Sequence, residues 1–183
     1  MNQDSWVASD YAKYSSAQYQ WALEMIDKMS LKEHESLLDI GCGDGKITAL
    51  LSQKCAHAVG VDASLNMIRL AQKTFPAQNY PNLRFIQMDA SCLNFQNQFD
   101  RVFSNSVLHW IKNHVLVLSG IYHALKPGGK CYLKFGGKGT LDAFQPMINQ
   151  LLSQDQWRGY FQDFEANWYF FDDSHTNSQS IKN

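Results

Sequence analysis

Residues 39–45 read DIGCGDG, so that Asp39 is followed by glycines at 41, 43 and 45. The run stands between an apolar stretch, 36–40, and a segment of helical spacing, 46–54. Glycine at every second position bends a chain sharply and lets backbone amides approach a ligand that side chains would hold away. Spacing excludes two phosphate binders. A P-loop ending in Gly45-Lys46 needs glycine at 40 and serine or threonine at 47, where this chain has Ile40 and Ile47. A dinucleotide fingerprint starting at Gly41 needs glycine at 46, where it has Lys46. The acid beside the loop, Asp39, suits a ligand carrying positive charge, such as an amino group or a sulfonium.

Two more carboxylates stand at the ends of apolar runs. Asp62 closes VGVDAS, where a carboxylate can accept two hydrogen bonds from ribose hydroxyls. Asp89-Ala90 closes FIQMDAS, where a further acceptor can meet an adenine amino group. Amino acid, ribose and adenine in a row describe S-adenosyl-L-methionine, with S-adenosyl-L-homocysteine as the product of its use. Such a sulfonium is already an activated electrophile. A protein that uses it needs mainly to align an acceptor and exclude water, which supplies on the order of 7–11 kcal/mol. A carboxylate acceptor is ionised at neutral pH and needs no general base, and no dedicated base stands out here. His109 is the histidine expected at the strand-end edge, and it is a weak candidate.

LLDIGCGDGKIT at 37–48, VGVDAS at 59–64, MDA at 88–90, FDRVFSNSVLHW at 99–110 and LKPGG at 125–129 together resemble the successive motifs of class I S-adenosylmethionine-dependent methyltransferases. Within that superfamily the chain is most similar to the trans-aconitate and juvenile hormone acid methyltransferase group, with the biotin-synthesis malonyl-carrier methyltransferases close behind. LHW at 108–110, YAKYSSAQ at 11–18 and the aromatic stretch at 157–171 carry that finer likeness. The resemblance implies that the loop from Asp39 through Gly41, Cys42 and Gly43 to Gly45 holds the methionine part. It implies that Asp62 binds the ribose, Ala63 and Met67 flank the adenine, and Asp89 and the Ala90 amide face the adenine edge. Ser104 and Asn105 would offer backbone contacts to the methionine end. Gln18 and Trp110 would hold an acceptor carboxylate through neutral N–H donors, with Tyr11, Tyr14 and His109 closing the pocket. The activity implied is methyl transfer to the carboxylate of a small-molecule acid.

The elements that must position these residues alternate. Strand-like runs at 36–40, 57–61, 83–88, 99–104 and 130–135 are separated by helix-like runs at 46–54, 64–75 and near 112–125. Ser64 is the expected N-cap and Pro76 the stop of the second of these helices. Such alternation predicts an α/β, Rossmann-like, doubly wound and mostly parallel sheet with helices on both faces. Ligands bind beyond the carboxyl ends of its strands. One methyltransferase domain is expected over 1–171, with N-terminal capping helices at 5–30, a cofactor-binding core at 36–136 and a helical, aromatic lid at 140–171. A helix is expected at 140–153, kinked or delayed by Pro146. Residues 172–183 read as a disordered tail, and Asp172, Asp173 and His175 within it as solvated surface rather than a metal site.

The family's closing antiparallel hairpin has no counterpart in this sequence, so the fifth strand is expected to lie at an open edge. A homodimer would cover it; a non-catalytic cofactor-binding module is the alternative reading. A net charge of −1 excludes general attraction to nucleic acid, and SNSV at 104–107 is not the motif of nucleic-acid N-methylases. The N-terminus has no leader-like apolar run, and no stretch is long enough to span a bilayer. Four scattered cysteines form no CxxC pair, which points to a reducing cytoplasm without disulfide or zinc.

Overall fold

The computed structural model describes residues 16–140, 142–159 and 168–169. Helix α1 (Ser16–Met29) leads into β1 (Ser36–Ile40), α2 (Lys46–Ser52), β2 (His57–Asp62), α3 (Leu65–Thr74) and β3 (Leu83–Gln87). Then follow β4 (Phe99–Asn105), α4 (His114–Ala124), β5 (Leu125–Lys134), α5 (Gln145–Leu152) and the single turn α6 (Asp155–Arg158). Short 3-10 turns stand at Ala90–Cys92 and Leu108–Trp110. The strands form one sheet in the order β3-β2-β1-β4-β5, and every pair is parallel. The order reverses between β1 and β4, which opens a crevice at their carboxyl ends. Both Asp39 and Asn105 lie there.

β1 is buried on both faces, as a central parallel strand must be. Leu37 joins Met25, Ile26, Met29, Leu51, Ile68 and Phe103 under the helices α1, α2 and α3. Leu38 and Ile40 join Val61, Phe99, Val102, Val117 and Ile121 under α4. Alternation then puts Asp39 on the face of Leu37, toward α2. Ser64 caps α3 as expected, its side chain accepting from the Met67 amide at 3.3 Å. α1 is held to β5 by an ion pair between Lys134 and Glu24 at 3.0 Å, with the same ammonium 5.7 Å from the Trp21 ring centre.

Two elements differ from expectation. The turn expected before the fifth strand lies inside it. Phe99 pairs Leu125 but Arg101 pairs Lys130, so 126–129 bulge out, with Gly128 at φ +78°. The helix expected over 140–153, kinked or delayed by Pro146, is delayed and not kinked: it begins at Gln145, with Pro146 in its first turn. There a missing N–H costs nothing and a fixed φ starts the helix, so the proline sets the boundary. Among the described residues β5 pairs with β4 alone. The aromatic run from 160 to 167, Phe170, Phe171, the 172–183 tail, and Tyr11 and Tyr14 all lie outside the described residues.

Candidate active site

The cleft at the strand-order reversal is lined by Gln18 and Tyr19 of α1, by Asp39, Gly41, Cys42 and Asp44 of the loop, by Lys46 and Ile47 of α2, and by Phe103 and Asn105 of β4. It holds about 450 Å3, open solvent included. The three loop glycines all have left-handed backbones, at φ +73°, +53° and +82°. A Cβ on Gly41 would stand 2.2 Å from a Val107 methyl, and one on Gly45 would stand 2.6 Å from the Phe85 ring. The loop is therefore clamped between the turn that follows β4 and the middle of β3.

The loop amides do something other than what their sequence suggests. The N–H groups of Gly41 and Cys42 both donate to the Val61 carbonyl, at 2.8 and 3.0 Å, and Gly45 donates to Cys42 at 3.0 Å. Gly43 donates to Asp62 Oδ2 at 3.0 Å. The amides of Gly41, Cys42 and Gly43 lash the loop to β2 and that of Gly45 closes the turn, instead of lying open to a ligand. The left-handed glycines turn the first three toward the carbonyl and carboxylate that end β2. The glycines supply clearance and curvature.

What the loop presents is acid. Asp39 is 2% exposed and accepts the Thr48 hydroxyl at 2.6 Å. Burial pushes its carboxyl up to about 7, the Thr48 hydrogen bond opposing and the nearby Asp62 charge adding to the rise. Thr48 closes the 37–48 motif, but its bond to Asp39 becomes visible only when the first turns of α2 are placed against β1. Asp44 is also buried and meets Lys46 Nζ at 2.9 Å. Asp62 accepts from the amides of Gly43 and Ser64, the latter at 2.9 Å. Burial raises its pKa, and those two amides counter the rise. A carboxylate has about four lone-pair sites, so two remain for a diol.

The other expected contacts fall into place unevenly. Met67 and Ala90 are buried, and Ala63 gives its carbonyl to Gln87 at 3.2 Å. Asp89 Oδ1 accepts from the Ser91 amide at 2.7 Å and so caps the 3-10 turn behind it. The Ser104 hydroxyl is buried and donates to the Ile40 carbonyl at 2.9 Å, bracing β4 against β1. Cys42 is buried, and burial pushes its thiol well above the ordinary value, which makes it a filler rather than a nucleophile.

Where the sequence places the acceptor, the 108–110 turn comes shortly after β4. The Trp110 ring is 42% exposed and meets Trp168 edge-on at 6.3 Å. The Tyr169 amide donates to the His109 carbonyl at 2.7 Å, so residues 168–169 lie against this turn. His109 Nδ1 accepts the Gly136 amide at 3.3 Å, and burial lowers its pKa. A ring held this way is a brace between β5 and the turn. Trp110 is not among the residues that line the cleft with Asp39, whereas Gln18 is.

The residues present fit an adenosyl amino-acid ligand. Gln18 Oε1 and Asn105 Oδ1 are buried without a partner, as acceptors awaiting a donor would be, and the Asp39 carboxylate stands in the same cleft. The methyltransferase domain family matches residues 38–133, and the chain belongs to that family. It is similar to an uncharacterized methyltransferase of Schizosaccharomyces pombe, at 33% identity over 83% of this chain and 59% of the relative. It is also similar to the trans-aconitate 2-methyltransferase of Deinococcus radiodurans, at 32% identity over 68% of this chain and 47% of the relative. Among solved structures it resembles phosphoethanolamine N-methyltransferase 2 of Haemonchus contortus in complex with S-adenosyl-L-methionine. That likeness has a TM-score of 0.62 and 31% identity, over 72% of this chain and 32% of that one. The chain thus spans about half to three-fifths of the length of the curated relatives it matches.

Proposed function

We propose that the chain binds S-adenosyl-L-methionine in the β1–β4 crevice and transfers a methyl group to the carboxylate of a small-molecule acid. The observation that carries the reading is the buried Asp39 in the crevice, on a glycine loop that is lashed by the Gly43 amide to Asp62 at the next strand tip. Bound there, the sulfonium would supply a methyl carbon that a carboxylate oxygen can take as the S–CH3 electron pair returns to sulfur, with no proton moved.

The chain's own residues would then hold and exclude. Asp39 faces the positive end of the methionine part, Asp62 takes the ribose diol with its remaining lone pairs, and buried Met67 and Ala90 wall the adenine. Trp110 and Trp168 form an aromatic rim on the acceptor side and keep water from it. His109 has its Nδ1 occupied by a backbone amide and its pKa lowered, which favours an acceptor that needs no base. The relatives named trans-aconitate 2-methyltransferase support an acid; the phosphoethanolamine methyltransferase neighbour makes an amine the competing acceptor. A net charge of −1 disfavours nucleic acid. No helix among the described residues is long and apolar enough to cross a membrane, and we place the protein in the cytoplasm.

The test is a methyl-transfer assay against a panel of small carboxylic acids and amines, with products read by mass spectrometry. A methyl ester is the expected product. N-methylation in its place would overturn the acid assignment. Cofactor binding with no turnover on any acceptor would favour the non-catalytic binding module.

A further inference from the structure

The Asn105 side-chain nitrogen donates to the Gln18 backbone carbonyl at 2.9 Å. Only the nitrogen of an amide can face a carbonyl, so this bond fixes which way Asn105 points. It also ties the start of α1 to the end of β4. Asn105 Oδ1 is left buried without a partner, and so is Gln18 Oε1. Both residues line the cleft that Asp39 lines. Asp44 Oδ2, also buried in this cleft, faces the Lys46 ammonium at 2.9 Å. Buried carbonyls are almost always satisfied, so the other two orphans mark the place of a donor that the described residues do not supply. With Asp39 they make three acceptors, one of them an anion once its carboxyl is ionised. That set suits a group with several N–H bonds and a positive charge, an alkylammonium. The cation in the same cleft, Lys46, is engaged by Asp44.

We infer that Gln18 and Asn105 read the α-ammonium of the cofactor's methionine part, beside Asp39. The inference rests on the cofactor reading above. It gives Gln18 a cofactor-side role, where family resemblance puts it on the acceptor. It also makes the cleft a reader of the ammonium more than of the neighbouring carboxylate.

The experiment is isothermal titration of the wild type, Gln18→Met and Gln18→Glu with three ligands: S-adenosylhomocysteine, its decarboxylated analogue and its deaminated analogue. Hydrogen bonds to charged groups correspond to about tenfold or more in affinity. The wild type should bind the decarboxylated analogue nearly as well as S-adenosylhomocysteine and the deaminated one at least about tenfold more weakly. Gln18→Met should weaken the two amine-bearing ligands by about tenfold and leave the deaminated one unchanged. Gln18→Glu keeps the length and an acceptor, and should retain or tighten amine binding; it also serves if the Met variant folds poorly. Equal losses on all three ligands would overturn the inference. So would unchanged S-adenosylhomocysteine affinity with a raised KM for the acid, which would put Gln18 at the acceptor. No heat from the wild type with S-adenosylhomocysteine overturns the cofactor reading, and this inference with it; heat from the wild type and unaffected variants overturns this inference alone.

Discussion

A carboxyl group with a pKa near 7 inside a ligand cleft links binding to pH in a definite direction. Asp39 is neutral in the folded protein at pH values where the unfolded chain has already ionised it. The stability this raised group contributes is therefore fully present below its ordinary 3.8 and is lost as pH rises to about 7. Affinity for a cationic ligand runs the other way, because only ionised Asp39 attracts it. Calorimetry with S-adenosylhomocysteine should show about tenfold tightening from pH 6 to pH 8, flattened in Asp39→Asn. Thr48→Val removes the one hydroxyl bonded to this carboxylate. It should cost about 1–3 kcal/mol in denaturant unfolding of the ionised protein and move the binding profile to higher pH. Asp39 was legible in the sequence because it precedes the glycines. Thr48 was not, since a threonine in a helix carries no mark of the strand it will face.

At the scale of elements, the glycine loop is a joint. It is packed against Val107 on one side and Phe85 on the other, and lashed to β2 by its own amides. Gly45→Ala would place a Cβ at a left-handed residue and against a buried ring. It should destabilise the fold by more than about 2 kcal/mol in chemical denaturation, before any effect on ligand. The alternation of strands and helices was readable because apolar runs and caps mark each piece, as Ser64 does for α3. The glycines announced a tight turn. They could not announce where its amides go, because the Val61 carbonyl and the Asp62 carboxylate that take them come from another strand. The bulge in β5 was hidden for a similar reason. Lys126-Pro127-Gly128-Gly129 has turn chemistry, and only pairing with β4 on both sides makes it part of a strand.

Across the whole molecule, the end of the sheet opposite the cleft is held by charge. Glu35, 7% exposed, pairs with Arg101 at 2.6 Å, and Asp100 takes Ser36 and Lys126 at 2.7 Å each. Glu35→Ala leaves a largely buried guanidinium without its carboxylate and should cost about 3–5 kcal/mol, read as a lowered denaturant midpoint with ligand affinity unchanged. At the sheet's flank, β5 pairs on one side only among the described residues, and we propose a second copy of this chain as the occupant of that side. Light scattering should report a dimer; a monomer at high micromolar concentration would contradict that expectation. A parallel sheet of alternating strands and helices followed from the sequence pattern; which strand neighbours which is visible only in the structure. The contact of Trp168 and Tyr169 with the 108–110 turn did not follow from it, since a long-range approach of aromatics leaves no periodic signal. The most direct test is calorimetric titration of the folded wild-type chain at pH 8 with S-adenosylhomocysteine. The account predicts saturable one-to-one binding and a raised melting temperature, both abolished by Asp62→Ala. A folded sample that gives neither heat nor a thermal shift would contradict it.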